Sequence, residues 1–396
     1  MIYKMELIMN YEVILNEIDA LTEKYIGIYQ DICNIESPTS SKAGVDAVGK
    51  YIIDYTRQFG WSVIIHEEEI SGNAICIKMN EGVKAAPICF SGHMDTVHPI
   101  GSFGTPAVRL DDDTVPFCER KIYGPGVLDC KGGVVASLLA MEALHNIGYI
   151  KRPIYLILQS DEEGGSQMSE KRTVKFMADM AKDSVAFLNT EGHVDAIVIE
   201  RKGILTYEFE ISGVAVHSSL CFTGVNAVTE AAYKIIELER FKDRDGITCN
   251  CSMISGGTTQ NTVPDKCTFR ANFRYLNNEH YDIIEREVER IADTSYVEGS
   301  SCKVRRTSFR VNMPLVEKNQ ALAEKMNEIY AAAGLPVLKL SRGNGGSDSA
   351  DMTQYGIPAI DSIGTEGAWL HSPKEYAYLA SLPRSAKRLA TVAIGI

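Results

Sequence analysis

Side chains that can bind a metal ion follow four strongly apolar segments of this 396-residue chain. Each segment is short, as a buried strand is. Because the carboxyl ends of parallel strands meet at one edge of an open sheet, residues just after them can converge although they are far apart in the sequence. The segments and the residues that follow them are 86–92 with His93, 153–159 with Glu162 and Glu163, 184–190 with Glu191, and 357–363 with His371 in the loop beyond.

Two imidazoles and several carboxylates at one sheet edge predict a site for zinc or a similar divalent ion. Crowded carboxylates without a cation would repel one another and raise their own pKa values, and a pair of metal ions removes that repulsion. Asp129 lies in a glycine-flanked turn before a helix and could bridge two ions. Asp95, two residues after His93, could accept the second imidazole N–H and fix its tautomer. Spacing alone does not tell which of Glu162 and Glu163 binds metal.

The elements that must position these side chains alternate between short apolar runs and helical patterns. The apolar runs predict strands covered on both faces, and hence a mostly parallel sheet. Between the first two runs, Val134, Leu138, Met141 and Leu144 recur at helical spacing. The first 30 residues have the pattern of an amphipathic helix. We therefore predict an α/β fold in which a mostly parallel, twisted sheet is flanked by helices.

The period of the apolar residues changes in the middle of the chain. Segments 203–216 and 266–276 alternate apolar with polar residues, as half-exposed strands do, and helical stretches lie between and after them. The order strand–helix–strand–strand–helix–strand predicts a second, α+β domain. We therefore expect a first domain in two parts, 1–203 and 314–396, with the α+β domain inserted at 204–313.

Composition argues against several classes of partner. The chain has 40 basic and 52 acidic side chains and a net charge of −12, which disfavours nucleic acid and anionic membrane surfaces. No segment approaches the roughly 18 consecutive apolar residues that span a bilayer. The N-terminus lacks the uninterrupted apolar run of a signal peptide. The 10 cysteines are scattered, which indicates free thiols, so we expect a cytoplasmic protein with no nucleic-acid or membrane partner.

Eight short motifs occur along the chain: GHMDTV (92–97), YGPGVLDCKGG (123–133), DEEG (161–164), TEG (190–192), GVAVHS (213–218), GGTTQNTVPD (256–265), GGSDSA (345–350) and LHSPKE (370–375). In the same order, they closely resemble the motifs of the co-catalytic di-zinc metallopeptidases. That family includes glutamate carboxypeptidase, peptidase T, acetylornithine deacetylase, succinyl-diaminopimelate desuccinylase and the aminoacylases. The resemblance covers almost the whole chain, and motifs in a fixed order are much stronger evidence than any one of them.

The resemblance implies a role for each matching residue. His93 and Glu191 resemble the ligands of one zinc ion, and Glu163 and His371 resemble the ligands of the other. Asp129 resembles the aspartate that bridges the two ions. Cobalt and manganese also suit such ligands, so two zinc ions are the expected cofactor and these metals are the alternatives.

The resemblance also implies hydrolysis of an amide bond by a metal-bridging water, with Glu162 as the general base. His217 resembles a histidine of the inserted lid domain that stabilises the oxyanion, and Asn261 and Arg274 resemble residues that hold a substrate carboxylate. The inserted domain is expected to form a homodimer. Further residues expected at the pocket are Ser347 and Asp348.

Several alternatives for the reaction stay open. The first is an exopeptidase or carboxypeptidase on small peptides, and the second is a deacylase of N-acyl amino acids. A metal-stabilised binding module is a third, against which Glu162 argues. A cysteine hydrolase using Cys130 is a fourth and the least favoured, since a thiolate beside a bridging carboxylate is disfavoured. Pro125, Cys130 and Ser219 depart from the usual motifs, and these departures leave the substrate open although none removes a metal ligand.

Three nearby polar residues are expected to lie outside the chemistry. His98 follows the first motif and is expected to be a turn residue. His193 and Glu366 are close to the site in sequence, and we expect both to be surface groups.

Overall fold

The computed structural model describes residues 2–192, 195–243 and 246–396, with side chains from residue 11 onward. His193 lies outside the described residues. Contacts between residues divide the chain into two units. The first unit consists of Met1–Ile199, Leu315–Arg342 and Ser347–Ile396, and the second consists of Glu200–Pro314 and Gly343–Gly346.

The described residues form helices and strands with the following bounds. The helices are α1 Ile2–Asn34, α2 Lys42–Thr56, α3 Lys131–Asn146, α4 Arg172–Ala181, α5 Ala227–Glu239, α6 Asn278–Asp293, α7 Glu317–Ala332, α8 Asp348–Gln354 and α9 Ser381–Gly395. The strands are β1 Ser62–His66, β2 Ala74–Met79, β3 Ile88–His93, β4 Arg109–Leu110, β5 Lys121–Tyr123, β6 Ile154–Gln159, β7 Ala186–Asn189, β8 Ala196–Arg201, β9 Gly203–Ser212, β10 Thr248–Gly256, β11 Lys266–Tyr275, β12 Ser301–Arg310, β13 Lys339–Gly343, β14 Ala359–Ile360, β15 Gly367–Ala368 and β16 Tyr376–Tyr378.

The main sheet of the first unit has the strand order β1-β2-β6-β3-β7-β14 among the described residues. β6, β3, β7 and β14 are parallel to one another, while β2 is antiparallel to β6 and β1 is antiparallel to β2. The four parallel strands are those that the apolar runs predict, so the mostly parallel sheet is confirmed. The antiparallel pair β1 and β2 is an addition that the sequence analysis does not predict.

Helices cover both faces of this sheet. Phe90 and Leu156 point into a large core that also contains residues of α1, α3 and α9. Their chain neighbours Cys89 and Ile157 point the other way, into a smaller core with residues of α4 and α8. This alternation explains why β3 and most of β6 are buried on both faces. The two covered faces leave the ends of the strands as the places where polar side chains can gather.

The second unit has an antiparallel sheet with the order β10-β11-β9-β12. Alternate residues of β9, from Leu205 to Ile211, are buried, and they pack in one core with residues of α5 and α6. Phe209 and Phe269 stack with ring centroids 4.5 Å apart. The order of strands and helices is the order that the change of period predicts.

Within the described ranges, no helix combines the length and the apolar character that a crossing of the bilayer requires.

Candidate active site

Asp129 lies between two histidines that are far from each other in the sequence. One carboxylate oxygen of Asp129, Oδ1, is 3.1 Å from Nε2 of His93, which is the last residue of β3. The other oxygen, Oδ2, is 3.1 Å from Nε2 of His371, in the loop after β15. A carboxylate that offers one oxygen to each of two imidazoles has the arrangement of a bridging ligand.

A second carboxylate accompanies each histidine. Oε1 of Glu191, two residues after β7, is 3.6 Å from Nε2 of His93. Oε2 of Glu163, in the loop after β6, is 3.4 Å from Nε2 of His371. The five residues that the sequence predicts as metal ligands are therefore brought together as two groups that share Asp129.

The topology explains why these groups meet. β6, β3 and β7 are adjacent and parallel, so the loops that follow them leave the same edge of the sheet. Asp129 reaches that edge because α3 begins directly against the end of β7. A Cβ atom at Gly133 would lie 1.9 Å from the carbonyl oxygen of Thr190, so only glycine permits this approach. Asp129, four residues before Gly133, is thereby held beside Glu191.

Spacing and donor chemistry both fit divalent metal ions. Two ligand atoms at about 2.1 Å from a tetrahedral zinc ion are roughly 3.4 Å apart, and the four donor distances above are 3.1 to 3.6 Å. Oε1 of Glu163 is buried and has no hydrogen-bond partner among the described residues. An unpaired buried acceptor is costly, and a cation would satisfy it. Imidazole nitrogens and carboxylate oxygens are ligands that zinc accepts.

The pKa values of the acidic side chains in the site, without a metal ion, reflect the same crowding. Burial, followed by the charge of Asp129, raises the pKa of Glu163 to about 8. Burial also raises the pKa of Glu191 to about 7. Burial opposes ionisation of Asp129, but hydrogen bonds with His371 and His93 outweigh it and hold the pKa of Asp129 well below its usual range. Without a cation, the site therefore keeps protons that divalent ions would replace.

Asp95 connects His93 to the acidic loop after β6. Nδ1 of His93 is 2.9 Å from the carbonyl oxygen of Asp95 and 3.3 Å from its Oδ1. The same carboxylate accepts hydrogen bonds from the backbone N–H groups of Glu162 at 3.2 Å and Glu163 at 3.1 Å, and from the hydroxyl of Thr39 at 2.7 Å. Asp95 thus orients the imidazole and holds both glutamates.

The three successive acidic residues 161–163 have different environments. Asp161 is fully buried and accepts hydrogen bonds from Ser169 and Thr173, which close the loop that follows β6. Glu162 is 5% exposed, and its charge contributes to the raised pKa values of both Glu163 and Glu191. Glu162 therefore lies near both metal-ligand groups.

Residues 89–394 match the family model described as peptidase family M20/M25/M40. The chain belongs to this peptidase family. It is 27% identical over 361 residues to carboxypeptidase G2 from Pseudomonas sp. (strain RS-16), covering 90% of this chain and 85% of that protein. It is 25% identical over 369 residues to succinyl-diaminopimelate desuccinylase from Nitrosospira multiformis, covering 87% and 91%. The crystal structure of a tripeptidase from Staphylococcus aureus subsp. aureus Mu50 has the same fold, with a TM-score of 0.78, 19% identity and coverage of 94% of this chain and 98% of that one.

Membership in the M20/M25/M40 family confirms the resemblance inferred from the motifs. The protein is a hydrolase of the metallopeptidase class, and hydrolysis of a peptide or an acylated amino acid fits its relatives. Two sets of side chains in the site, His93 with Asp129 and Glu163, and His93 with Cys130 and Glu191, have ligand-type atoms within 4.8 Å of one another and could hold a metal ion.

Glu375 is a buried residue of this M20/M25/M40 peptidase whose contacts the sequence analysis missed. Its Oε1 accepts hydrogen bonds from the backbone N–H groups of Leu128 at 2.8 Å and Asp129 at 3.1 Å. Its Oε2 is 2.6 Å from Nε2 of His98, which is 5% exposed. Glu375 thus fixes the backbone of Asp129, and His98 supports Glu375. The available signal was the last letter of the motif LHSPKE.

Cys130 directly follows Asp129 in this M20/M25/M40 peptidase, and its contacts bear on the alternative of a cysteine hydrolase. The side chain is fully buried, and its Sγ accepts the backbone N–H of His93 at 3.0 Å. Burial raises the pKa of the thiol well above its usual range. A buried thiol that stays protonated is a poor nucleophile, which argues against a cysteine hydrolase.

Four other predictions concern residues of the first unit near the site. Ser347 is 2% exposed, caps α8 and bonds to Asp361 and to Asn189, the latter at 3.0 Å. Asp348 is 1% exposed and lies 3.5 Å from Nε2 of Gln159. Their part in substrate binding stays a prediction. Glu366 is half-buried with Arg384 3.2 Å away, and His98 lies in the irregular segment after β3, where it is buried as described above. That both lie outside the chemistry stays a prediction.

The remaining predicted residues belong to the second unit and are described within it. The side chain of His217 is exposed and hydrogen-bonds to Ser219 at 2.8 Å. The backbone N–H of Ser218 donates to the carbonyl oxygen of Asn261 at 2.9 Å, so His217 and Asn261 are neighbours. Arg274 lies on β11, and its Nη1 is 3.4 Å from the carbonyl oxygen of Asn344. Their roles toward a substrate stay predictions.

Proposed function

We propose that this protein is a zinc-dependent exopeptidase that releases the C-terminal residue of small peptides, with Glu162 as its general base. The observation on which the proposal rests is the position of Asp129, which offers one oxygen to His93 and the other to His371. Two metal-ligand groups that share one carboxylate are what a pair of divalent ions requires, and membership in a metallopeptidase family supports the same assignment.

The proposed ligands of one ion are His93 and Glu191, those of the other are His371 and Glu163, and Asp129 would bridge the two. When bound, the ions would supply Lewis-acid activation of a water molecule and of the scissile carbonyl group. Asp95 would keep His93 in the tautomer whose Nε2 is free to bind metal, since Nδ1 of that histidine lies 2.9 Å from the Asp95 carbonyl oxygen.

Glu162 is the proposed proton carrier. Its carboxylate would accept a proton from the attacking water while the water oxygen adds to the carbonyl carbon of the amide. As the C–N bond breaks, Glu162 would return this proton to the leaving nitrogen, so that a carboxylic acid and an amine are the products. The support for this role is that Glu162 is nearly buried, lies near both metal-ligand groups, and is held by the Asp95 carboxylate at its backbone N–H.

The inserted domain, 204–313, is the proposed source of substrate contacts and of the interface of a homodimer. His217 would donate to the oxyanion, and Asn261 and Arg274 would hold a substrate carboxylate. The exposed imidazole of His217 and its proximity to Asn261 agree with this assignment. Ser347 and Asp348 would act by shaping the pocket wall. The free state of all 10 cysteines agrees with a reducing compartment, so we propose a cytoplasmic location.

Deacylation of an N-acyl amino acid is a second candidate function. Its support is the similarity to a succinyl-diaminopimelate desuccinylase over 87% of this chain. Both reactions break an amide bond with the same groups, so only the substrate distinguishes them.

A substrate panel on protein freed of metal and reloaded stepwise with zinc or cobalt tests the proposal. Dipeptides, tripeptides, and N-acetyl and N-succinyl amino acids would be supplied, and the products identified by mass spectrometry. We expect turnover to appear with metal and the C-terminal amino acid of the peptides to be released. Faster hydrolysis of the acylated amino acids would favour the deacylase instead, and turnover that survives complete metal removal would refute both.

Two substitutions separate the base from the ligands. Glu162→Gln should lower kcat by about 10²–10⁴-fold and leave the metal content unchanged, because a general base contributes roughly that factor. Glu163→Gln should lower the metal content. Glu324→Gln, on the outer surface of α7, is the matched control and should change neither quantity. A Glu162→Gln variant with wild-type kcat would exclude this residue as the base.

A further inference from the structure

A cavity of about 640 Å³ lies beside the segments that contain Asp129 and His371. Tyr123, which precedes the Asp129 turn, and Trp369, two residues before His371, both line it. The volume is within the range of about 300–1,000 Å³ that is usual for small-molecule sites. The role of this cavity is not explained by the proposed metal ligands or by the residues of the second unit.

The cavity has a cationic and aromatic floor because of the register of a small sheet. The strand order is β15-β16-β5-β4, and Tyr123 lies directly opposite both Arg109 and Tyr376. Residues directly opposite each other point to the same face of a sheet, and so does Lys121, two residues before Tyr123. The intervening Ile122 is fully buried on the other face, in the main core. One face is therefore core and the other is cavity.

Each of three cations at the cavity lies over an aromatic ring. The guanidinium carbon of Arg109 is 3.8 Å from the ring centroid of Tyr123. Nζ of Lys121 is 4.4 Å from the ring centroid of Tyr376. Nζ of Lys374 is 5.4 Å from the ring centroid of Trp369. Stacking on a ring restrains a cation without neutralising it, so the positive charge stays available to a ligand.

The residues that line the cavity differ in charge from the chain as a whole. Among the described residues that line the cavity, none is acidic, although the chain as a whole has a net charge of −12. Asp111 is a carboxylate neighbour of Arg109 at 3.8 Å, and it also accepts a hydrogen bond from the backbone N–H of Lys121 at 3.1 Å. Within the described part of the chain, the side chains of Lys121 and Lys374 form no ion pair. Three cations that outnumber this carboxylate in a concave site favour an anionic ligand.

Trp369 gives the cavity an exposed aromatic wall. Its side chain is 59% exposed, which is unusual for a tryptophan with no bound partner. A large exposed ring beside cations is typical of a surface that packs on the apolar stem of a ligand while charges bind its polar end. The loop of Trp369 also contains His371, so this wall of the cavity is joined by a short length of chain to a proposed metal ligand.

We propose that this cavity binds a carboxylate on the substrate, at the end of an acyl group or on an acidic side chain, through Arg109, Lys121 and Lys374. This inference rests on the proposed function and refines it, since it names anionic substrates as the preferred class. It applies to an acidic peptide and to an N-acyl amino acid with a carboxylate-bearing acyl group, which share the same chemistry.

The two tryptophans of the chain permit a binding assay that does not depend on turnover. Trp61 is 9% exposed in the core, so a Trp61→Phe variant would retain Trp369 as a reporter inside the cavity. The metal-loaded variant would be titrated with succinate and, as its uncharged counterpart, with succinamide. We expect a saturable change of tryptophan fluorescence with succinate, weakened by salt, and none with succinamide. Equal responses to the two compounds would overturn the inference.

Substitutions locate the binding. Lys121→Met and Lys374→Met, each in the Trp61→Phe background, should raise the Kd for succinate about tenfold, as loss of a charged hydrogen bond does. Lys325→Met, an exposed lysine on α7, is the matched control and should leave the Kd unchanged. Succinate binding that is unaffected by the loss of Lys121 and Lys374 would overturn the inference. If a variant proved too unstable to assay, the comparison of succinate with succinamide in the Trp61→Phe protein would still test it.

A kinetic comparison separates this inference from the proposed function. N-succinyl and N-butyryl derivatives of one amino acid, and Glu-Ala and Gln-Ala dipeptides, differ in one charge at nearly constant size. A higher kcat/KM for the charged member of at least one pair, reduced by Lys121→Met, supports the inference. Turnover without any charge preference overturns the inference alone. Succinate binding without turnover of any amide supports the anion site and refutes the proposed function.

Discussion

Glu375 provides the sharpest test of how the site is held together. Replacing it with alanine removes the acceptor of three donors: the backbone N–H groups of Leu128 and Asp129 and the imidazole of His98. Because Glu375 is fully buried, these donors would be left without a partner or with a trapped water. Each unsatisfied buried donor costs about 1–3 kcal/mol, so Glu375→Ala should lower the free energy of unfolding by about 3–5 kcal/mol.

The more specific effect should appear in metal binding. Glu375 holds the peptide group from which the Asp129 carboxylate projects, so its loss frees the bridging ligand to move. Substitution of such supporting residues typically weakens metal affinity by about 10–100-fold. The affinity would be measured by competition with a chelator for zinc or cobalt, and the stability by urea denaturation of the metal-free protein. Glu375→Gln should lose less metal affinity and less stability, since its amide oxygen can still accept hydrogen bonds from the two backbone N–H groups.

A second buried glutamate supplies the control. Glu142 on α3 is 3% exposed and also accepts hydrogen bonds from three side chains, those of Lys24, Tyr25 and Tyr55. Glu142→Ala should therefore destabilise the fold by about 2–4 kcal/mol through the same kind of loss. It should leave the metal affinity unchanged. If Glu375→Ala weakened metal binding no more than Glu142→Ala does, the reasoning about the Asp129 backbone would be refuted.

Three other expectations concern separate parts of the chain. Cys130→Ser should keep activity within about tenfold, because serine can accept the same backbone N–H; a steady-state assay that shows a loss of more than 100-fold would contradict this. Lys234→Ala should lower the stability of the second unit by about 3–5 kcal/mol in urea, because the buried Glu230 loses a cation 3.0 Å away, and the double variant Glu230→Gln/Lys234→Met should lose less. Burial opposes ionisation of Glu68, but Arg172 outweighs it and lowers the pKa of Glu68, so the pair stabilises the fold above the unfolded pKa of about 4.3 and this stability is lost as pH falls through the lower folded pKa. Arg172→Met should therefore destabilise the protein at about pH 7 and have little effect in strong acid, and a difference that is constant with pH would count against the pair.

The parts of the fold that the sequence predicts are those with a long, regular apolar pattern. β3, β6 and β7 are buried on both faces, and the alternation of β9 and β11 reflects one covered face. Three of the strands that the analysis misses are too short to carry such a signal. β4, β15 and β16 are two or three residues long, which is too short to repeat the two-residue alternation of a strand. The cavity floor depends on these short strands, so it could not be foreseen from periodicity.

The site, too, has contacts that the sequence predicts and contacts that it does not. Convergence of His93, Glu163 and Glu191 follows from parallel strands, because the chain direction alone places their loops at one edge. The contacts of Glu375 could not be predicted, because two of its partners are backbone N–H groups, which every residue except proline possesses. The different environments of Asp161 and Glu162 could not be predicted either. Asp161 binds Ser169 and Thr173, and only the path of the loop reveals those partners.

The buried acidic residues of the site fall into two groups with opposite requirements. One group is neutralised by N–H and O–H donors and needs no cation: Asp95, Asp161 and Glu375. The other group faces the histidines and one another, and its members are Asp129, Glu163 and Glu191. The first group builds a fixed frame because hydrogen bonds to a carboxylate are strong and directional. That frame holds the second group so close together that, without a cation, Glu163 and Glu191 tend to keep their protons, and divalent ions would replace these protons on binding.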